Sequence, residues 1–230
     1  MSPPPDSVIE LRGVRKQYGG RIVLQDVDLV VHQGDVIGLI GPNGSGKSTL
    51  LRIMAGLVRP TGGDVLVAQQ NISAELGVVP RGLGLLFEPP GFQPHLTGLE
   101  NLRLLASIRR MIELGEIRAW MLAVGLDPNS RQRVVAYSQG MKQRLGLAQA
   151  LMERPDILLL DEPSNGLDPE FRDTFGQLLR DAQTRGVAIV MASHHLEELG
   201  PLCNRIVRVS HGHLTPVAPA ALKSEEVTQR

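Results

Sequence analysis

The sequence predicts an α/β core that carries an N-terminal antiparallel β subdomain and an inserted α-helical subdomain. Two apolar runs of strand length, residues 36–40 and residues 156–161 with an aspartate at each end, have the pattern of buried parallel strands. The chain before residue 32 instead alternates apolar and polar side chains, as half-buried antiparallel strands do. From residue 97 to about residue 151 the apolar spacing is helical, which predicts an insert between two halves of the core.

The first elements are two strands joined by a turn. Alternation covers residues 8–14 and 22–31, and the turn residues Tyr18, Gly19 and Gly20 lie between them. Another turn at residues 33–35 leads into the buried strand 36–40. Residues 64–67 and 83–87 are predicted as further short strands.

Three helices are predicted in the insert. Apolar residues at helical spacing mark the first, a second covers residues 116–124, and a third runs from near Ser138 to Glu153. The stripe of the first helix is Leu99, Leu102, Ala106 and Met111.

The α/β pattern then resumes with a strand at residues 156–161, a helix at 169–184 and a strand at 187–192. A helix at 195–203 and a hairpin at 205–215 complete it. We therefore predict a single domain, residues 1–230, with two lobes. They are an α/β core of residues 8–88 and 154–215 and a helical subdomain of residues 89–153, with a tail at 216–230.

Composition limits the classes of function. Lys plus Arg and Asp plus Glu are both 24, so the formal net charge is +0, which argues against a protein held on nucleic acid by bulk charge. Cys203 is the only cysteine and favours a reducing compartment. The pattern indicates neither a signal peptide nor an apolar run of membrane-spanning length. Any membrane role is expected to come through a partner.

Residues 41–49, GPNGSGKST, match the pattern G-x-x-x-x-G-K-[ST] between a strand and a helix. In such a loop the backbone N–H groups and the helix start surround phosphates, the lysine reaches the outer phosphates, and the serine hydroxyl suits Mg²⁺. A chance glycine-rich turn is the bland alternative, and the flanking elements disfavour it. The sequence predicts a P-loop NTPase (RecA-like) core whose nucleotide ligands are Gly41, Pro42, Asn43, Gly44, Ser45, Gly46, Lys47, Ser48 and Thr49.

Two acids, Asp161 and Glu162, end the buried strand at residues 156–161. The carboxyl edge of an open α/β sheet is where ligands bind. Asp161 is predicted to hold Mg²⁺, and Glu162 to act as the general base on the attacking water. The alternative is a strand end capped by solvated acids.

A third segment, Ser138 to Arg144, opens a predicted helix. Ser138 and Gly140 there could form an anion-binding nest or an ordinary helix N-cap, and by the residues alone the N-cap is favoured.

Taken in order, these motifs resemble the ATP-binding subunit of an ATP-binding cassette (ABC) transporter over about residues 8–214. The resemblance implies that Tyr18 stacks on adenine, although a half-buried turn aromatic is the alternative. It places Ser138 and Gly140 in the family's signature motif, from which Tyr137, Gln139 and Met141 depart.

The resemblance also implies roles for two further segments, around Asp168 and His194. Asp168 lies in the D-loop, which links two subunits in the family, and it also suits the N-cap of a helix with Pro169 at its first position. His194 matches the switch histidine that contacts the γ-phosphate; an ordinary histidine at a strand end is the alternative. The neighbouring His195 is expected on a helix surface. Glu162, His194 and Lys47 are thus the predicted catalytic residues.

Glu88 stands where the family usually has a glutamine. A carboxylate there can still join Ser48 and Asp161 at Mg²⁺. Residues 88–102 resemble the loop of exporters for bacitracin-like and lantibiotic-like peptides, and a neutral substitution in another exporter is the alternative.

The resemblance also implies partners. Two chains, as a homodimer or with a similar subunit, would close head to tail around two ATP molecules, with Ser138 and Gly140 reaching the ATP of the other subunit. ATP hydrolysis with Mg²⁺ would drive a separate membrane permease, with export favoured. The chain would lie at the cytoplasmic face of the inner membrane, and Phe92, Pro94 and Leu96 are candidates for the permease contact.

Two other classes of function remain as alternatives. One is an ABC-type ATPase that acts on nucleic acid or ribosomes, which usually has two cassettes or a long coiled coil. The other is a nucleotide-regulated module without turnover, which the presence of Glu162 and His194 disfavours.

Overall fold

Two β-sheets form the framework of the protein in a computed structural model, which describes residues 7–73 and 79–217. The strands are β1 (Ser7–Tyr18), β2 (Arg21–His32), β3 (Val36–Ile40), β4 (Gly62–Val67), β5 (Gln70–Asn71), β6 (Leu83–Leu86), β7 (Ile157–Asp161), β8 (Ala188–Ser193), β9 (Arg205–Ser210) and β10 (His213–Pro216). The helices are α1 (Lys47–Met54), α2 (Gly98–Arg109), α3 (Leu114–Ala123), α4 (Gln139–Leu151), α5 (Pro169–Thr184) and α6 (Leu196–Leu199). The mixed α/β fold class predicted from the sequence is confirmed.

The smaller sheet has the order β2-β1-β4-β5 and is antiparallel throughout. β1 and β2 form a hairpin in which Tyr18 pairs with Arg21, so both strands are longer than the alternation alone predicts. One face of this hairpin is fully buried at Ile9, Val27 and Val31. The N-terminal antiparallel subdomain is therefore present as predicted.

The larger sheet has the order β10-β9-β3-β8-β7-β6. β3, β7 and β8 are buried along their whole length and pair in parallel, which explains their continuous apolar sequence. In this register Ile40 pairs with Ser193 and Asp161 pairs with Ala192. The carboxyl ends of the three strands consequently meet at one edge of the sheet.

Each face of the larger sheet packs against a different layer. Ile37 and Leu39 join the apolar cluster formed with the small sheet and α1, whereas Val36 and Ile40 join the cluster formed with the helical region and α5. Because successive side chains of a strand point to opposite faces, five residues of β3 serve both layers. The phosphate loop that follows β3 is thus anchored in both cores.

The helical region α2–α4 lies between β6 and β7 in the chain, with a 3-10 turn at Val134–Ala136. Leu102 and Ala106 are buried, but Met111 is 56% exposed, so its predicted place on the helical stripe is wrong. The physical reason is that Arg110 adopts a left-handed conformation (φ 54°) and ends α2. Trp120 on α3, the only tryptophan of the chain, is partly buried against the helical cluster.

The last third of the chain follows the predicted order with one shortened element. α5 has the predicted bounds, whereas α6 ends at Leu199 instead of residue 203. Gly200 and Pro201 follow α6, and both residues are poor continuations of a helix. Among the described residues, no helix is both long and apolar enough to cross a membrane. The lobe boundaries remain predictions, and residues 1–6 and most of the predicted tail (218–230) lie outside the described residues.

Candidate functional site

A cavity of about 600 Å³ opens at the carboxyl edge of the large sheet. Residues from the phosphate loop, the first hairpin, the segment after β6 and the end of β7 surround it. They are Tyr18, Arg21, Val23, Asn43, Gly44, Ser45, Gly46, Lys47, Ser48, Thr49, Arg52, Glu88, Asp161 and Glu162. The structure thus gathers residues that lie more than 140 positions apart in the sequence.

The phosphate loop requires glycine at defined places. Gly46 has φ +110°, a conformation that other residues rarely adopt, and a Cβ at Gly41 would collide with the Val209 carbonyl. The Ser45 hydroxyl in the middle of the loop is buried and has no hydrogen-bond partner. A buried, unpaired hydroxyl in a loop of backbone N–H groups fits a phosphate oxygen as its partner.

Lys47 is 5% exposed, and its Nζ donates to the Gly41 carbonyl at 2.7 Å and to the Pro42 carbonyl at 3.4 Å. Its ammonium also lies 3.6 Å from Glu162 Oε1. Gly41 and Pro42 therefore hold the lysine and do not line the cavity themselves. The lysine is fixed at the cavity wall as a point charge suited to the outer phosphates of a nucleotide.

Ser48 and Asp161 meet in the cavity, where the Ser48 hydroxyl donates to Asp161 Oδ1 at 3.0 Å. Burial raises the pKa of Asp161, and the Ser48 hydrogen bond and nearby Arg52 oppose this rise. A hydroxyl and a desolvated carboxylate side by side are the hard oxygen donors that Mg²⁺ prefers, and a bound cation would favour the charged form of Asp161. The residues present therefore fit a Mg²⁺ ion.

Glu162 follows β7 in a left-handed conformation (φ 47°). Its Oε2 lies 2.9 Å from His194 Nδ1, and its Oε1 faces Lys47. Asp161 and Glu162 are neighbours in sequence, and this turn sends one side chain to Ser48 and the other to His194. Of the predicted catalytic residues, His194 contacts Glu162 without lining the cavity, and His195 caps the start of α6.

Tyr18 lies at the mouth of the cavity and is 48% exposed. The ammonium of Lys16 lies 4.5 Å from the centroid of its ring. An aromatic ring with one exposed face next to the phosphate loop is placed where a purine base could stack. The geometry is compatible with the adenine prediction.

Three cavity residues were missed by the motifs. Arg52 is four positions after Ser48 on α1, so helical spacing alone puts both on one face. Arg21 and Val23 are two positions apart on β2, just beyond the Tyr18 turn, and strand alternation gives them a common face. These signals were present in the sequence but belong to no fixed motif.

Ser138, Gly140 and Asp168 do not line the cavity. Ser138 Oγ accepts from Met141 N at 3.2 Å and Asp168 Oδ1 accepts from Phe171 N at 2.9 Å, so both residues cap helices. The hydrogen bond from the Phe171 N–H, followed by the contact with Arg144, lowers the pKa of Asp168. Within this chain, the N-cap interpretations of both residues therefore hold.

Glu88 lies in the cavity wall as expected, but it also has partners outside it. Its Oε2 accepts from Asn165 Nδ2 at 2.8 Å and its Oε1 from Gln139 Nε2 at 3.3 Å. Neither amide lines the cavity. Neither contact was predicted from the sequence, because residues 139 and 165 lie 51 and 77 positions from Glu88.

Comparisons of the sequence and of the fold with known proteins all identify ATP-binding proteins of one family. A family model described as ABC transporter matches residues 24–165. The chain is 38% identical over 211 residues to the bacitracin transport ATP-binding protein BcrA of Enterococcus faecalis, covering 90% of this chain and 68% of that protein. It is 34% identical over 213 residues to the Nod factor export ATP-binding protein I of Cupriavidus pinatubonensis (91% and 66%). A dimeric ATP-binding cassette in a post-hydrolysis state, bound to ADP and phosphate, superposes with a TM-score of 0.82 at 26% identity, covering 90% of this chain and 96% of that chain.

Proposed function

The chain belongs to the ABC transporter family as an ATP-hydrolysing subunit, and from this premise we propose how its site works and which transport it serves. The observation that carries the mechanism is the meeting of Lys47, Ser48, Asp161 and Glu162 in one cavity. These residues provide a cation for phosphates, two oxygen donors for a metal and a carboxylate for water.

In the proposed mechanism the phosphate loop binds ATP, and Lys47 with the Ser45 hydroxyl donates hydrogen bonds to phosphate oxygens. Tyr18 stacks on the adenine. Ser48, Asp161 and Glu88 hold Mg²⁺, which when bound supplies positive charge at the outer phosphates. Glu162 accepts the proton of the attacking water, and the 2.9 Å contact with His194 keeps its carboxylate oriented toward the γ-phosphate.

We propose that a second subunit completes each site. Ser138 caps α4 and Gly140 lies in its first turn, both outside their own cavity, which leaves this helix start free to face the ATP of a partner chain. A likeness to a dimeric cassette supports this arrangement. The dimer, of identical or similar chains, closes head to tail around two ATP molecules and opens after hydrolysis.

The transport served is proposed to be export through a separate membrane permease, with peptide antibiotics as the substrate class. Relatives named for bacitracin transport and for Nod factor export support this direction. The chain would then lie at the cytoplasmic face of the inner membrane, held by its permease. Phe92, which is partly buried against the helical cluster, and the exposed Pro94 belong to the proposed contact.

The test is genetic and biochemical. A strain lacking the chain is complemented with the wild type or with Lys47→Ala and challenged with bacitracin and a lantibiotic. We expect the wild type alone to restore growth. If the strain complemented with the wild type and the strain complemented with Lys47→Ala are equally sensitive to every peptide, the peptide-export proposal is wrong. Phosphate release by the purified chain, measured in parallel, would show whether the ATPase mechanism is affected.

Binding to nucleic acid is not part of the proposal. Retention of the purified chain on DNA or ribosomes at physiological salt would contradict it, because the net charge of +0 offers no bulk electrostatic attraction.

A further inference from the structure

The carboxylate of Glu88 contacts two other segments of the chain, the loop between β7 and α5 and the start of α4. Asn165, in the loop between β7 and α5, donates to Oε2 at 2.8 Å, and Gln139, at the start of α4, donates to Oε1 at 3.3 Å. Each amide therefore binds one oxygen of the same carboxylate. A carboxylate accepts hydrogen bonds only, so two NH₂ donors are matched to it chemically.

Asn165 is also fixed to the turn at Glu162. Its backbone N–H donates to the Glu162 carbonyl at 3.2 Å. The same carbonyl accepts a hydrogen bond at 2.9 Å from Gln143, which is 3% exposed. Asn165 thus holds Glu162 through its backbone and Glu88 through its side chain. Asn165 is thus a residue that contacts both of these acids directly.

The backbones that carry the two amides are in direct contact. A Cβ on Gly140 would lie 2.5 Å from the Gly166 carbonyl oxygen, and a Cβ on Gly166 would lie 3.0 Å from Gln139 Cγ. Because the two segments approach this closely, packing limits how far either amide can move from Glu88. The arrangement is therefore set by the fold as well as by side-chain rotamers.

We propose that Asn165 and Gln139 are positioning residues that orient the Glu88 carboxylate toward the Mg²⁺ site at Ser48 and Asp161. This inference rests on the proposed function, which places Glu88 at that metal. Glu88 lines the cavity and the two amides do not, so the amides bind the carboxylate from the side that faces away from the cavity. Each oxygen has a second lone pair for the cavity side. Asn165 carries the larger share, since its bond is shorter and its side chain is less exposed than that of Gln139.

The test measures metal binding rather than turnover. Mn²⁺ is the probe, and free Mn²⁺ is followed by electron paramagnetic resonance as it is titrated into the purified full chain with a non-hydrolysable ATP analogue. We expect Asn165→Ala to weaken Mn²⁺ binding about 10-fold, as loss of a residue that orients a metal ligand does, and Gln139→Gly to weaken it less. Affinity for the analogue without metal should not change.

Two further variants separate orientation from general damage. Asn129→Asp alters an exposed asparagine in the helical region whose side-chain oxygen accepts a hydrogen bond from Arg118, and Mn²⁺ binding should remain at the wild-type value. Asn165→Leu keeps a side chain of similar size but removes the amide donor to Glu88 without adding charge, so it should weaken Mn²⁺ binding as Asn165→Ala does.

Wild-type Mn²⁺ affinity in Asn165→Ala and Gln139→Gly would overturn the inference. So would unchanged affinity in Glu88→Ala, because Glu88 would then not be a ligand. If Asn165→Ala does not fold, wild-type Mn²⁺ affinity in Asn165→Leu overturns the inference equally. Failure of the proposed function would look different, since the wild-type chain itself would then not bind the analogue.

Discussion

The phosphate-loop region and the signature region differ in how their polar groups are used. Lys47, Ser48 and Asp161 are buried or half-buried and direct their polar groups toward one cavity. The side chains of Ser138 and Asp168 instead accept hydrogen bonds from backbone N–H groups at the start of α4 and α5, and both residues lie outside that cavity. One region is a formed binding site and the other is a formed surface. In the proposed dimer, each chain therefore contributes one half to each of two sites.

The largest expected effect is at Glu162, in the formed half. Glu162→Gln removes the proposed base while keeping size and shape, so turnover should fall by about 10²–10⁴-fold with ATP binding retained. Phosphate release and equilibrium binding of ATP measure the two quantities. Glu153→Gln, in an ion pair with Arg109 far from the cavity, serves as the control. Equal hydrolysis by Glu162→Gln and the wild type would mean that another group is the base.

Lys47→Ala should follow in size. Loss of the ammonium proposed to bind the outer phosphates is expected to weaken ATP binding by at least about 100-fold, since hydrogen bonds to charged groups each contribute about 1.5–3 kcal/mol. Calorimetric titration measures the change. Arg154→Ala, which removes a positive charge from an exposed ion pair, should bind ATP normally. Unchanged affinity in Lys47→Ala would contradict the description of this region as the formed site.

A third variant tests the other half directly. Ser138→Asp keeps a good N-cap but adds negative charge, so ATP binding to the isolated chain and the unfolding midpoint should stay at wild-type values. Turnover should fall by at least about 10-fold, because the acid would face the phosphates of a partner's ATP.

Mixing two inactive chains makes this comparison decisive. In a mixed dimer of Ser138→Asp and Lys47→Ala chains, sites shared between chains would differ. One site would have both wild-type residues, and the other would have both substitutions. Activity should therefore return on mixing. If mixing restores nothing, Ser138 acts on its own chain, and the division into two halves is wrong.

The smallest expected effect concerns the cap at Asp168. Asp168→Ala removes the acceptor for Phe171 N and should lower the free energy of unfolding by about 1 kcal/mol. Asp168→Asn keeps that acceptor and loses only the contact with Arg144, so it should be close to the wild type. Urea unfolding measures both variants. Equal loss in both would assign the stability to the ion pair.

Sequence reasoning was most successful where one local pattern determines the outcome. The phosphate loop, the two acids at the end of β7 and the helix start at Pro169 each depend on a few adjacent residues, and the structure has these elements at the predicted places. The order of strands and helices followed from periodicity for the same reason. The family and fold class are confirmed by the comparisons.

The remaining features depend on contacts between distant segments or on one backbone conformation. The stripe through Met111 failed because Arg110 turns left-handed, which no apolar spacing indicates. The contacts of Glu88 join residues 51 and 77 positions away. Arg52 was missed because a cavity residue on a helix face belongs to no motif. Contacts between residues far apart in the sequence form only when the strands and helices pack together.

The position of Trp120 has a practical consequence. It is the only indole in the chain, and it lies on α3 against the helical cluster, outside the cavity that is proposed for ATP. Excitation at the long-wavelength edge of the indole band, where Tyr18 and Tyr137 absorb little, makes the emission report on the surroundings of Trp120. An emission change when nucleotide is added would have to travel through the protein from the phosphate loop to that region. The chain thus carries its own optical probe of how one half of the site communicates with the other.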